Sequence, residues 1–224
     1  MAERRHTTSL ISSMPELTAR DFRTMRFLLS APKLSALPPA DRCEIAFAGR
    51  SNAGKSSALN ALCEQGNLAR TSKTPGRTQA INFFDNDRLR FADLPGYGFA
   101  RVPPAIKAEW GALIEGYLAE RETLAGIVLI MDARRPLLDF DRQLIEWGSA
   151  YGLAFHLMLT KADKLSRNEQ HNVLRRTRAA VEGATAQLFS STKRIGIEEA
   201  RAAISALVPD DESDGDDPLI ETSD

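Results

Sequence analysis

The chain has 224 residues, 43% of them hydrophobic and 26% charged, with 29 Lys+Arg against 30 Asp+Glu for a net charge of -1. That length suits one ordinary core, and the composition excludes a low-complexity or fibrous chain. No apolar run is long enough for a membrane helix or a signal core, so no membrane association and a cytoplasmic location are expected.

The near-zero charge hides an asymmetry. The last 16 residues, "PDDESDGDDPLIETSD", hold eight acidic and no basic side chains, so residues 1–208 carry 29 Lys+Arg against 22 Asp+Glu, a net +7. A basic body is compatible with an RNA-rich partner, and residues 209–224 read as an acidic disordered tail. Two cysteines, Cys43 and Cys63, give neither a disulfide framework nor a metal-ligand spacing. Both read as reduced packing residues.

In chain order, residues 1–41 read as a helix plus a connector. Leu17, Phe22, Met25 and Leu29 fall on one helical face, and "LSALPPADR" bends the chain toward the first strand. Residues 42–208 form the main domain. It opens with strand "CEIAFAG", a loop, and helix "KSSALNALCE". A Gly/Ser/Thr/Pro-rich stretch from Gly66 to Gln79 reads as a surface loop, and "AINFFD" and "RLRFAD" flank Asn86-Asp87 as an antiparallel hairpin. Ile106, Trp110, Leu113, Ile114, Tyr117 and Leu118 recur at helical spacing. The continuous apolar runs "AGIVLIMDA" and "LAFHLMLTKAD" read as strands covered on both faces, with a helix carrying Phe140, Leu144, Trp147 and Tyr151 between them. A polar helix from about Asn168 to Val181, strand "AQLFSS" and a last helix from about Ile197 to Val208 follow. The pattern predicts a single α/β domain with a doubly wound, mostly parallel sheet and one antiparallel hairpin strand.

"GRSNAGKS", Gly49 to Ser56, follows a buried strand and opens a helix, which is the context a P-loop requires. Glycines let backbone N–H groups turn around phosphate oxygens, and the helix N-terminus adds its positive end. Lys55 would reach the β/γ-phosphates and Ser56 would hold Mg2+. "DLPG" places Asp93 at a strand end beside this loop, able to position Mg2+ through water, with the Gly96 N–H facing the γ-phosphate. "TKAD" ends a later strand. Asp163 there can accept from both the N1–H and the exocyclic amine of guanine, a donor pair adenine lacks, while the Lys161 stem lies over the base. "FSS", Phe189 to Ser191, closes the last strand, where N–H groups could meet the guanine O6. His156, within an apolar strand, reads as a packed, hydrogen-bonded residue rather than a catalyst.

With these motifs in place, "GRSNAGKSS", "TSKTPGRTQAINFF", "FADLPGYGFARV", "TKADKLS" and "FSSTK" together resemble the EngB group of bacterial translation-factor-class GTPases, over about Arg42 to Val208. The resemblance implies a Ras-like P-loop fold, Mg2+-dependent binding and hydrolysis of GTP, and a role in assembly of the large ribosomal subunit and in normal cell division and septation. It implies nucleotide contacts from Gly49, Arg50, Ser51, Asn52, Ala53, Gly54, Lys55 and Ser56, from Gly76, Arg77, Thr78, Gln79 and Ala80, and from Asp93, Leu94, Pro95 and Gly96. Thr160, Lys161, Ala162 and Asp163 with Phe189, Ser190 and Ser191 complete the set. Ser56 and Thr78 would be the direct Mg2+ ligands. Thr71 and Thr74 offer a hydroxyl on the same loop, and only the resemblance favours Thr78.

Hydrolysis would rest on Lys55, Asn52, Thr78 and Gly96. Small Ras-like GTPases carry a glutamine after the glycine of "DxxG" to orient water; here that residue is Tyr97, so a low intrinsic rate is expected. Asn52 reads either as an ordinary polar residue of the loop or, as in related GTPases, as a residue that helps hold K+ against the phosphates. A ribosomal partner could also complete the site, meeting Arg77, Phe99, Arg101 and Lys107 and binding in a salt-sensitive way. The protein is expected to be a monomer. Competing readings are a nucleotide kinase, for which "TKAD" would have no use, and a nucleotide-regulated septation or structural protein that does not act on the ribosome.

Overall fold

In the computed structural model, the structure describes residues 17–69, 80–97 and 104–209, with 104–108 in backbone only. Among the described residues, seven strands form one sheet: β1 (Arg26–Ala31), β2 (Glu44–Gly49), β3 (Ile81–Asp85), β4 (Arg90–Asp93), β5 (Leu124–Asp132), β6 (Ala154–Thr160) and β7 (Thr185–Leu188). Their spatial order is β1-β3-β4-β2-β5-β6-β7. β3 pairs antiparallel with both β1 and β4, while β2, β4, β5, β6 and β7 pair parallel. The mostly parallel sheet with an antiparallel hairpin predicted above is therefore present.

The α-helices among the described residues cover the sheet: α1 (Ala19–Arg23), α2 (Lys55–Leu62), α3 (Pro104–Glu120), α4 (Asp139–Ala150), α5 (Arg167–Ala180) and α6 (Ile197–Ser205). Alternation along the central strands divides the interior in two. Ala46 and Ala48 of β2 with Ile127, Leu129 and Met131 of β5 join Leu113, Ile114, Tyr117 and Leu118 of α3 and Leu144 of α4. Ile45, Phe47, Val128 and Ile130 join Leu59 and Leu62 of α2 and Ala200 and Ile204 of α6. Both faces of these strands are thus dry, which is why their sequences run apolar without a break.

The segment before the first P-loop strand differs from the sequence reading. A helix is present but stops at Arg23, and the next residues extend into β1 along the outer edge of β3. Phe22 and Met25 are buried as expected. Leu29 instead stands in a strand opposite Phe83, and Ser30 Oγ donates to Asn82 Oδ1 across the pair at 2.6 Å. A free hairpin edge offers a whole row of backbone partners, which outweighs the helical spacing of four apolar residues. The hairpin connection is also longer than two residues. The Asn86 Oδ1 accepts from the Arg88 and Leu89 N–H groups at 2.8 and 3.0 Å, so β4 begins at Arg90.

Cys43 and Cys63 are free and buried, and burial pushes both thiols up to about 12, as packing residues require. At the amino end of the sheet lies a closed ionic cluster. The fully buried Glu44 carboxylate accepts from Arg121 Nε at 2.9 Å, Tyr117 Oη at 2.9 Å and Arg90 Nη1 at 3.1 Å. This cluster ties β2, β4 and α3 together below the site.

Candidate nucleotide-binding site

The loops leaving the carboxyl ends of β2, β4, β6 and β7 converge, the arrangement in which open α/β sheets bind ligands. The first begins at Gly49, where a Cβ would lie 2.4 Å from the Ile130 carbonyl oxygen; only glycine lets β2 pass that close to β5. Asn52 and Gly54 then take left-handed backbone, φ 62° and 104°. Asparagine and glycine are the residues that tolerate it. The chain is thereby turned so that α2 starts at Lys55, with Ser56 in its first turn.

The loop after β4 is stitched to this turn. Ser51 N–H donates to the Tyr97 carbonyl at 2.8 Å, and Lys55 Nζ forms an ion pair with Asp93. Two motifs about forty residues apart in sequence therefore present an ammonium, a carboxylate and the α2 N-terminus at one mouth.

The second half of the site comes from β6 and β7. Thr160 is buried, and its hydroxyl lies 2.5 Å from the Ala53 carbonyl and 3.0 Å from that of Met131, strapping the P-loop to the sheet. Lys161 follows in left-handed backbone, φ 57°. For a non-glycine residue this costs on the order of 1 kcal/mol, and such strain clusters at ligand sites. Its Nζ donates to the Asn52 carbonyl at 2.6 Å and pairs with Asp132 at 3.0 Å. The Asp163 Oδ1 accepts from the Ser190 hydroxyl at 2.6 Å, and this bond holds its carboxyl below the usual carboxylate range. Ala162 N–H meets the Phe189 carbonyl at 3.1 Å, so the two loops share one frame.

The structure thus brings together Gly49–Ser56, Asp93–Gly96, Thr160–Asp163 and Phe189–Ser191. Phe189–Ser191 stand just past the end of β7 rather than inside it. Several of the predicted contacts can act through backbone alone, because the side chains of Ala53, Leu94, Ala162 and Phe189 are buried in or against the core. The Pro95 carbonyl already accepts from Trp110 Nε1 at 3.2 Å. Ala80 sits in a bend just before β3. Gly76, Arg77, Thr78 and Gln79 lie outside the described residues, as do Phe99 and Arg101; Lys107 is described only as part of the α3 backbone.

The sequence reading missed Asp132 altogether and, for Tyr97, missed where the side chain goes. Asp132 ends β5 beside Thr160 and grips Lys161, although nothing in "MDARR" marks it beyond its place at a strand end. Tyr97, at the position where a water-orienting glutamine would stand, turns inward. Its ring packs on Phe140 and Trp110, and its hydroxyl donates to the buried Asp141 at 2.5 Å. Burial raises both groups above their ordinary values. His156 is buried between Thr185 Oγ1 at 2.8 Å and Gln187 Oε1 at 3.0 Å, away from the converging loops.

Comparison with known proteins agrees with this geometry. Residues 44–161 match the family model described as "50S ribosome-binding GTPase". The chain is 50% identical over 208 residues to a protein named "Probable GTP-binding protein EngB" from Paraburkholderia xenovorans, covering 86% of this chain and 96% of that one. It is 52% identical over 189 residues to the protein of the same name from Thiobacillus denitrificans, covering 82% and 91%. Among solved structures, a crystal structure of a probable GTP-binding protein engB superposes with a TM-score of 0.62 at 21% identity, over 74% of this chain and 98% of that one. Era bound to MgGDPNP and a 16S ribosomal RNA fragment superposes with a TM-score of 0.60 at 16% identity, over 79% and 60%, a likeness of fold. With a P-loop, a guanine-compatible carboxylate loop and half-identical relatives spanning most of its length, the chain belongs to the EngB family of GTP-binding proteins and is a GTPase.

Proposed function

We propose that this GTPase is a slow, Mg2+-dependent switch that acts in assembly of the large ribosomal subunit and is needed for normal cell division and septation. The observation that carries the nucleotide half is the shared frame of Lys55, Asp93, Lys161 and Asp163 at one end of the sheet. Asp163, oriented by Ser190, reads the guanine N1–H and amine; Lys55 grips the phosphates. Nucleotide binding by Asp163→Asn tests this. The substitution should weaken GTP and favour XTP, whose C2 oxo group reverses the donor required, and equal preference for GTP in both chains would sink it.

The donor set at the mouth fits Mg2+. Ser56 and Asp93 offer hard oxygens next to the Lys55 ammonium. Among the described residues no group of three or more His, Cys, Asp or Glu could hold a metal by itself. Mg2+ is commonly bound with one or two protein ligands, substrate phosphates and water. Ser56 and, by resemblance, Thr78 would ligate it, and Asp93 would hold its water; the ion would neutralise charge developing on the phosphates.

Tyr97 is occupied by Asp141, so water must be oriented by another group. This supports slow hydrolysis. Asn52, exposed at the tip of the loop, is the candidate for holding K+, and faster turnover in K+ than in Na+ is the expected result.

The ribosomal half is supported by the description of the matched family and by the net +7 of residues 1–208. Co-sedimentation with large subunits or their precursors should be stronger with GTP than with GDP and should weaken with salt. Nucleotide-independent sedimentation would argue against a switch.

A further inference from the structure

We propose that Asp132 is a positioning residue for nucleotide binding: it holds the Lys161 ammonium against the P-loop, so that the base-reading loop and the phosphate loop are set in register before a nucleotide docks. The inference rests on the role given to Lys161 above. It adds a residue that none of the sequence motifs contains.

The geometry is a relay across three strand ends. Asp132, the last residue of β5, is paired in register with Thr160, the residue before Lys161. Its carboxylate is clamped in one orientation by Arg134, whose Nε reaches Oδ1 at 2.9 Å and whose Nη2 reaches Oδ2 at 2.6 Å; the Arg134 N–H adds a third bond to Oδ1 at 3.1 Å. The same Oδ2 meets Lys161 Nζ at 3.0 Å. The ammonium spends another donor on the Asn52 carbonyl at 2.6 Å. A lysine has four rotatable side-chain bonds and loses much rotamer freedom when fixed. Two acceptors, one from the phosphate loop and one from β5, fix the ammonium in advance, and pre-ordering of this kind appears as ligand affinity.

Arg134 is therefore more than a competitor for the carboxylate. Its fork sets the plane of Asp132, as a bidentate guanidinium does, and leaves Oδ2 facing the lysine. The Lys161 side chain is about one-third exposed and that of Asp132 about one-fifth. The effect on affinity is accordingly modest, about three- to fivefold, the upper end of what a solvent-exposed ion pair contributes.

A double-mutant cycle reads it. Asp132→Asn, Lys161→Met and the double variant are made in the full chain, and GDP affinity and the dissociation rate of a fluorescent GDP are measured. The unfolding temperature without nucleotide is recorded beside them. Asp132→Asn should weaken GDP about three- to fivefold in the parent, chiefly through faster dissociation, yet leave affinity unchanged in the Lys161→Met background. Asp132→Glu, which keeps the charge, should recover part of the loss. An equal loss in both backgrounds, or a loss that tracks a lowered unfolding temperature, would make Asp132 a plain structural residue and overturn the proposal. No loss in the parent, with Lys161→Met still weakened, overturns the proposal and leaves the reading of Lys161 standing. A Lys161→Met chain that binds as tightly as the parent overturns both.

Discussion

The two ends of the sheet hold similar charges and use them differently. At the amino end, Glu44 is enclosed by Arg90, Arg121 and Tyr117, and its carboxylate is wholly inaccessible. At the carboxyl end, Lys55 pairs with Asp93 and Lys161 with Asp132, but these groups border the mouth of a site and the loops that carry them include left-handed turns. A closed cluster can only stabilise or fail. An open one can exchange its internal partners for those of a ligand, because the ammonium of Lys55 meets phosphate oxygens as readily as a carboxylate. The difference follows from topology: strand ends with buried starts below, loops free to turn above.

Breaking the closed end should have the largest effect. Glu44→Gln removes the carboxylate shared by the buried Arg90 and Arg121, of which Arg90 keeps its pairs with Asp41 and Asp85, and should cost about 3–5 kcal/mol in denaturant unfolding. GDP affinity at a temperature where the variant is folded should be unchanged.

His156 sharpens the same contrast, since it is a closed polar group kept neutral. Burial pulls its pKa down to about 4 from an ordinary 6.5. The native state therefore disfavours the protonated ring: the stability it contributes is complete above 6.5 and is lost as pH falls from 6.5 through about 4. Over that window the loss should be on the order of 2–3 kcal/mol, and His156→Gln should flatten the limb in unfolding curves taken across it. An unaltered acid limb would show that other groups set it.

At the open end, Thr160→Val keeps the shape but leaves the Ala53 and Met131 carbonyls without the shared donor. A stability loss of about 1–3 kcal/mol is expected, together with weaker GDP binding, because the strap holds the P-loop itself. A loss of stability without any change in binding would separate the strap from the site. The smallest effect should come from Tyr97→Phe. It removes one bond to Asp141, which still accepts from the Leu138 N–H at 2.8 Å, and should cost about 1 kcal/mol with little change in the rate of GTP hydrolysis. A large fall in rate would mean that the phenol acts on the site after all.

Much of the site was legible because its motifs are local. Glycines at fixed offsets after a buried run mark the turn, and Gly49 is required by the sheet itself. The strand ends were legible because continuous apolar runs mark strands covered twice. Asp132 was not, since its partner lies on the neighbouring strand and a lone carboxylate after an apolar run has many bland uses. Tyr97 was readable as a missing glutamine, but its destination on α4 depended on how α3 and α4 pack. The edge strand β1 was misread for a related reason. Four apolar residues at helical spacing describe the chain by itself, whereas the free edge of β3 belongs to the fold.

From β2 onward the sequence by itself determined the order of strands and helices, and it marked a phosphate-loop pattern and a carboxylate-loop pattern, because backbone conformation and side-chain chemistry at short range are written into neighbouring residues. Tertiary structure decided which charges are closed and which stay available, which edge captures Arg26–Ala31, and which acid holds Lys161. Those outcomes depend on distances between residues far apart in the chain, and such distances exist only once the sheet has brought its strand ends together.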